Sequence, residues 1–248
     1  MALLKDTGIV LRRLDYSETS QVLVVFTREH GQQRLIAKGV KRATKKKASI
    51  GIDLLEEGRV VFSQRPGKEA ALATLTEWRQ EESFPHLQRD LKRLYAAQYA
   101  AELTAQLTEV NDPHPGLFDA MLALMRELEA ADPIAPLVRF LWILHREIGL
   151  RPELSRCMSC SRPVAGDRVV YFSSRACVAA CRDCEPHVLE KRRVDGAVLA
   201  WLNEVDKGMD SESSANHSHR AAFEFLDYNL TETMGKQARL RGPLRELL

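Results

Sequence analysis

Two closely spaced pairs of cysteines are the residues of this sequence that are best placed to do chemistry. Cys157 and Cys160 are separated by two residues, as are Cys181 and Cys184, and twenty residues lie between the pairs. Zn²⁺ favours four thiolates that two tight CxxC turns deliver to a tetrahedral site. Because four sulfurs would close the coordination shell, we predict a structural zinc site with no position open for a catalytic water.

Two further residues leave the choice of ligands open. Cys177 lies four residues before Cys181, and His187 lies three residues after Cys184, so either could replace one of the four. The thiols could also be free or buried without a metal. Five cysteines, four of them in tight pairs, favour metal binding in a reducing compartment over disulfide bonds.

The sequence carries no motif that predicts catalysis. His145, Glu147 and the first cysteine pair are similar to the H-x-E and P-C-x-x-C elements of zinc deaminases. We reject that assignment because Arg156 stands where the motif has proline and because the second cysteine pair would be unexplained. A P-loop, a G-x-G-x-x-G after a strand and a G-x-S-x-G are all absent. We therefore expect a protein that binds its target and is not an enzyme.

A basic run from Lys38 to Lys47 is the second chemical feature, with six cations in ten residues and no acid. Mutual repulsion favours an extended, solvated segment unless an anion neutralises it, and phosphate is the obvious anion. The alternative is a loop that merely aids solubility. The predicted nucleic-acid contacts are Lys38, Lys41, Arg42, Lys45, Lys46 and Lys47, with Arg12, Arg13 and Arg34 extending the track.

The charge is distributed unevenly, although the 248-residue chain has a net charge of only +2. Residues 1–80 carry 15 Lys and Arg against 9 Asp and Glu, a net charge of +6. Residues 81–150 carry 6 against 11, a net charge of −5. Phosphate binding is therefore expected in the N-terminal third. A chain of this length is also expected to contain more than one domain.

The basic N-terminal third has the pattern of β-structure. Apolar, often β-branched runs predict strands at residues 7–14, 20–28, 32–38, 53–63 and 70–77. Turn residues separate them, notably Glu29-His30-Gly31 and the Pro-Gly pair within residues 65–68. Five short strands in about 75 residues predict an OB-fold barrel. The basic run then falls between the third and fourth strands.

Helical periodicity begins at Pro85 and continues in residues 117–128 and 134–148, with Gly149 as a C-cap. It returns in residues 194–205 and 215–234, around a polar, Ser-rich loop at residues 206–216. The predicted fold class is α+β and multidomain. It comprises an OB-fold domain at residues 1–80, a helical bundle at 81–150, an inserted four-cysteine zinc-knuckle segment at 151–190, and C-terminal helices at 191–248 that pack back on the bundle. Without a membrane span or secretory segment, we expect a cytoplasmic protein.

Three segments and the cysteine pairs resemble the bacterial RecO family of recombination-mediator proteins, and the resemblance spans the whole chain. The segments are Asp6–Ser20, Val25–Gly31 and Ala37–Arg42. The closing Lys236–Arg241 is similar to the basic tail of that family, with Ala238 where the family has serine. Many relatives have Gly-Gly around the position of Cys177, and many lack the metal.

The resemblance implies a function that the residue patterns alone do not give. It implies an OB-fold that binds single- and double-stranded DNA and anneals complementary strands. It also implies work with RecR and single-strand-binding protein to help load RecA. By position, the basic run matches the family's basic loop and the four paired cysteines match its zinc knuckles. The alternatives are an adaptor that acts without nucleic acid and an RNA-binding OB-fold protein.

Overall fold

The computed structural model describes residues 2–42, 51–64, 72–164, 169–206 and 216–248. Three predicted features fall outside these residues: the Lys45–Lys47 cluster, the turn at residues 65–68 and most of the polar loop at residues 206–216. The chain forms two compact units, residues 1–130 and residues 131–248.

The first unit begins with a five-stranded closed barrel. Its strands are β1 (Ala2–Asp15), β2 (Gln21–Thr27), β3 (Gly31–Ala37), β4 (Glu57–Gln64) and β5 (Ala73–Glu82). The order around the barrel is β1-β2-β3-β5-β4, and among these described barrel strands only β3 and β5 pair in parallel. This arrangement confirms the predicted five-stranded OB-fold barrel.

Alternating apolar residues build the barrel interior, as a strand with one buried face requires. Leu23, Val25, Leu35, Val60 and Phe62 are fully buried in one core cluster. Burying an apolar side chain of this size contributes about 1.5–3 kcal/mol.

Three strands differ from the sequence prediction by three residues or more at one boundary at least. β5 was predicted at residues 70–77 and spans Ala73–Glu82. β1 starts five residues earlier than expected, because Ala2 to Ile9 pair continuously with β4. β4 starts four residues later, because the preceding segment turns at Leu55, which has φ +65°.

Two helices complete the first unit: α1 (Leu91–Leu107) and α2 (Pro115–Glu127). α1 begins later than the apolar periodicity suggests, because the Asp90 side chain accepts hydrogen bonds from the backbone N–H groups of Lys92 and Arg93. Phe118 on α2 packs near Phe26 of the barrel, with ring centroids 6.1 Å apart.

The second unit combines four helices with a small sheet. The helices are α3 (Ile134–Glu147), α4 (Gly196–Asp206), α5 (Asn216–Met234) and α6 (Arg241–Leu247). The strands are β6 (Glu153–Cys157), β7 (Val169–Ser173), β8 (Val178–Ala180) and β9 (Arg192–Asp195), in the order β6-β8-β7-β9. α3 packs against α5, and α4 also contacts α5. The C-cap residue of α3 is Ile148, and the predicted capping glycine, Gly149, follows it in the left-handed conformation with φ +73°, at the C′ position.

The start of the fourth helix was predicted wrongly. Val194 was expected to be helical, but it lies in β9 and pairs with Val170 of β7. The helix starts two residues later, where the Asp195 carboxylate accepts a hydrogen bond from the backbone N–H of Ala197 at 2.9 Å. No helix within the described ranges is long and apolar enough to cross a membrane.

Candidate functional site

The small sheet of the second unit brings the two cysteine pairs together. Cys157 ends β6, and Cys181 directly follows β8. These two strands are parallel neighbours, and Cys157 is in register with Ala179. Chain segments that leave the same end of adjacent parallel strands start close together, so each CxxC turn faces the other. The backbone N–H of Met158 donates to the Ala179 carbonyl at 2.8 Å and fixes this approach.

The four sulfurs have the spacing of a tetrahedral metal site. The Sγ atoms of Cys157, Cys160, Cys181 and Cys184 all lie within 4.8 Å of one another. Cys160 Sγ and Cys181 Sγ are 3.8 Å apart. Bonds of about 2.3 Å from a central zinc ion give a tetrahedron with S···S edges of about 3.8 Å. The cluster predicted from the sequence is therefore formed, and its geometry fits a metal ion.

Backbone donors favour thiolates in this cluster. Burial acts to raise the pKa of Cys157, but hydrogen bonds from the backbone of Cys160, Cys181 and Ser159 outweigh it and lower the pKa to about 6. The pKa of Cys181 is lowered first by a backbone hydrogen bond from Cys184.

The fourth thiol titrates differently from its neighbours. Hydrogen bonds with Cys181 and Cys160 raise the pKa of Cys184 to about 12. Its proton is retained because the first thiolates already place negative charge beside it. A bound divalent cation would reverse this preference, since a coordinating thiol is deprotonated outright.

The two alternative ligands lie outside the cluster. Cys177 occupies the turn between β7 and β8 with φ +55°, and its thiol donates to the Ser174 carbonyl at 3.4 Å. Burial raises the pKa of Cys177, as expected for a thiol that stays protonated. His187 is exposed. Among the described residues, the metal-ligand grouping consists of the four paired cysteines.

A cationic row crosses the outer face of the barrel. Arg12 on β1 and Arg34 on β3 are both in register with Val24 of β2, so the three residues lie side by side across three strands. With strands about 4.8 Å apart, the two arginine Cα atoms are about 10 Å apart. Both side chains are exposed, and neither forms an ion pair with any residue that the structure describes. This row is free to meet an external anion.

Of the remaining described cations of the predicted site, two form ion pairs with an acidic residue and two do not. Lys41 Nζ lies 2.8 Å from Asp15 Oδ2, and this hydrogen bond is the largest influence lowering the pKa of Asp15. Arg13 forms an ion pair with Asp53 at 3.0 Å. Lys38 and Arg42 are exposed, and within the described ranges they form no ion pair. Lys45, Lys46 and Lys47 lie outside the described residues.

Polar contacts hold both ends of the connection that carries the basic run. Near the start of the run, the backbone N–H of Lys41 donates to the Thr19 carbonyl at 3.2 Å. After it, the backbone N–H of Ile52 donates to the buried Gln21 side chain at 2.9 Å. Gly51 makes this possible, because a Cβ there would lie 2.7 Å from Gln21 Oε1. Sequence reasoning missed Gln21 and Asp15 as positioning residues, since a lone polar residue at a strand end belongs to no motif.

The fold and the site together define a class of protein: an α+β chain in which an OB-fold barrel with a cationic face precedes helices and a four-thiol centre. Family models described as Recombination protein O N terminal and Recombination protein O C terminal match residues 1–84 and 88–241. The chain therefore belongs to the RecO family of DNA repair proteins.

Individual relatives cover nearly all or most of the chain. The DNA repair protein RecO of Anaeromyxobacter dehalogenans (strain 2CP-C) is 31% identical over 248 residues, covering 98% of this chain and 96% of the relative. That of Halalkalibacterium halodurans is 33% identical over 187 residues, covering 74% of this chain and 70% of the relative. That of Pelotomaculum thermopropionicum is 33% identical over 202 residues, covering 82% and 76%.

Proposed function

We propose that this protein binds single- and double-stranded DNA through its barrel and anneals complementary strands, as a mediator of DNA repair and recombination. The observation that carries the proposal is the row of Arg12 and Arg34, two exposed cations in register on the barrel that have no acidic partner within the described ranges. Membership of the RecO family makes DNA the nucleic acid of choice.

Annealing follows from charge neutralisation and needs no bond chemistry. Two DNA strands repel each other through their phosphates, and cations that contact both strands release counterions and lower that repulsion. Phosphate contacts carry no sequence information, which suits a protein that must join any complementary pair. We therefore assign the protein a binding role and no enzymatic one.

Zinc is proposed as the metal of the cysteine cluster, in a structural role. Its support is the four-thiolate donor set and the 3.8 Å separation of Cys160 Sγ and Cys181 Sγ. Soft thiolate ligands in a tetrahedron select zinc over the harder Mg²⁺ and Ca²⁺. When bound, the ion would link the turns after β6 and β8, and four sulfurs would leave no position for substrate.

The partners are a proposal that rests on the resemblance to the family, whereas the compartment and the domain limits are proposals that rest on patterns in the sequence. We propose that the protein acts with RecR and single-strand-binding protein to help load RecA, in the bacterial cytoplasm and at the nucleoid. The proposed domains are residues 1–80, 81–150, 151–190 and 191–248, with the last packing back on the second.

A matched triple substitution tests the function. Changing Lys45, Lys46 and Lys47 each to Gln should weaken binding to single-stranded DNA at least tenfold at low salt. It should also slow the annealing of complementary oligonucleotides. The control changes three arginines of the same unit to Gln. These are Arg28, Arg59 and Arg126, which form ion pairs with Asp119, Glu81 and Glu82.

The control removes the same formal charge, so it should bind DNA within about threefold of the unaltered chain. An equal loss of DNA affinity in both variants would show that net charge alone causes the effect, and it would contradict the assignment of the DNA-binding site. An RNA strand of the same sequence and a nuclease-treated pulldown decide the alternatives. Tighter binding to RNA would favour an RNA-binding protein, and nuclease-resistant partner capture without DNA affinity would favour an adaptor.

A further inference from the structure

A cavity of about 240 Å³ lies between β5 and the connection from β3 to β4. Its walls include Lys38, Gly51, Glu56, Glu77, Trp78 and Gln80. Pockets for drug-sized ligands have about 300–1,000 Å³, so this one is suited to a smaller flat group. One of its wall residues, Lys38, is the first cation of the basic run, which places the cavity beside the start of that run.

Trp78 provides a fixed aromatic wall. It is in register with Val60 on β4, and its indole packs in part against the barrel core. Gly58 makes room for the ring, because a Cβ at that position would lie 2.8 Å from the indole Cζ2 atom. A partly buried ring held in this way needs no reordering to stack on a ligand, and base–aromatic stacking is worth about 1–3 kcal/mol per base.

Two carboxylates in the cavity walls determine which chemical group of a ligand the cavity accepts. Burial raises the pKa of Glu56, and the nearby Trp78 indole N–H acts in the opposite direction by favouring the charged carboxylate. That N–H is buried and meets no acceptor in good hydrogen-bond geometry among the described residues. Glu56 and Glu77 in the walls disfavour an anionic phosphate inside the cavity and favour a group that donates hydrogen bonds.

We propose that this cavity takes one unpaired nucleobase of a single-stranded nucleic acid, stacked on Trp78 with an amino group of the base donating to Glu56. The base's own phosphate remains outside, next to the exposed Lys38. A base in a duplex is paired and stacked on both faces, so it cannot enter. The inference rests on the proposed phosphate contacts. To these contacts the cavity adds a preference for single strands.

The choice of base follows from the same chemistry. Cytosine has an exocyclic amino group that a glutamate accepts from, whereas thymine has a carbonyl oxygen at the equivalent position. The carboxylate of Glu56 therefore favours cytosine over thymine, two bases of similar size. Glu56→Gln keeps the shape of the side chain and removes this preference, because an amide can donate to the thymine oxygen.

The test measures the affinity of the full chain for 20-nucleotide (dC), (dT) and (rC) strands and for a 20-base-pair duplex, at one salt concentration. Trp78→Leu removes the aromatic ring, and we expect it to weaken single-strand binding about 5- to 150-fold, the equivalent of one lost stacking contact. We expect duplex affinity within twofold of the unaltered chain. Trp78→Phe, which keeps a ring, should retain single-strand affinity within about threefold, and Glu56→Gln should abolish the preference for (dC) over (dT).

The outcomes separate this inference from the proposed function. Unchanged single-strand affinity in Trp78→Leu, with weakened binding in the Lys45, Lys46 and Lys47 variant, would overturn the base cavity and leave the DNA-binding proposal standing. Failure of the unaltered chain to bind any strand would overturn both. If Trp78→Leu does not fold, the (dC) to (dT) ratio in Glu56→Gln decides. A Trp78-dependent preference for (dC) over (rC) assigns the cavity to DNA, and the reverse preference assigns it to RNA.

Discussion

His145 on α3 is a fully buried histidine, and its environment makes the second unit sensitive to pH. Its Nδ1 lies 2.7 Å from the Leu141 carbonyl oxygen, which assigns the proton to that nitrogen. Its Nε2 is buried without a hydrogen-bond partner among the described residues. Burial lowers the pKa of His145 from 6.5 to about 4, so the folded protein holds the neutral ring.

The depressed pKa of His145 predicts a loss of stability in mild acid. An unfolded chain takes up a proton near pH 6.5 and the folded chain only near pH 4, so the free energy of unfolding falls as the pH drops through this window. The contribution is about 2 kcal/mol between pH 7 and pH 5. Urea unfolding followed through Trp142 and Trp201, both in the second unit, measures it. In His145→Leu the loss should shrink by this amount and leave the part contributed by His219, whose pKa is also lowered by burial.

The exposed His187 supplies the control for that experiment. His187→Gln removes one histidine from the same unit and should leave the pH dependence of unfolding unchanged. If His145→Leu and the unaltered chain lose equal stability between pH 7 and pH 5, the buried imidazole is not the group responsible.

The cysteines allow a residue-by-residue test of the metal site. We expect the purified chain and Cys177→Ser to contain about one zinc ion each, and Cys181→Ser to contain almost none. Elemental analysis gives the stoichiometry, and thermal unfolding should show a lower Tm in Cys181→Ser, because metal binding contributes to folding. Zinc loss in Cys177→Ser instead would move the fifth cysteine into the ligand set.

Among the structural elements, the start of β3 depends on an unusually close backbone contact. Gly31 takes φ +66°, and a Cβ there would lie 2.1 Å from the carbonyl oxygen of Asp112, in the connection between α1 and α2. The backbone N–H of Asn111 donates to the Gln32 carbonyl at 3.1 Å beside it. This contact fixes the connection against the barrel within the first unit.

Gly39 provides a matched comparison for Gly31. Its φ is +72°, and a Cβ there would meet nothing within 4 Å. We expect Gly39→Ala to lower the free energy of unfolding by about 1–2 kcal/mol, the cost of left-handed backbone alone. Gly31→Ala should lower it by about 3 kcal/mol or more, because overpacking is added. Denaturant unfolding of both variants checks this, and equal losses would show that the Asp112 backbone yields easily.

The strands of the barrel could be predicted because each carries its own pattern. Leu23 and Val25 are fully buried and Val24 between them is only partly buried, and the Glu29-His30-Gly31 turn is followed by the next apolar run. The strands of the small sheet in the second unit could not be predicted from the sequence. β8 has three residues and β9 has four, which is too short for a period of two to stand out, and Val194 fits a helical pattern equally well.

For the molecule as a whole, the two chemical features differ in how far the sequence predicted them. The cysteine cluster follows from spacing alone, since two CxxC turns have few other uses. The basic run is a weaker guide, because composition does not tell which cations are occupied internally. Lys41 and Arg13 form ion pairs with Asp15 and Asp53, which lie 26 and 40 residues away from them in the sequence.

Contact between phosphates and the cationic row on the barrel is tested most directly by a salt titration. Each phosphate contact on a single strand contributes about −0.7 to the slope of log K against log salt. Changing Arg12 and Arg34 together to Gln should therefore make the slope shallower by about 1.4 and weaken binding at low salt. The control, Arg59→Gln with Arg126→Gln, should leave the slope unchanged. An identical slope in the Arg12 and Arg34 variant and the unaltered chain would show that the row does not contact phosphates.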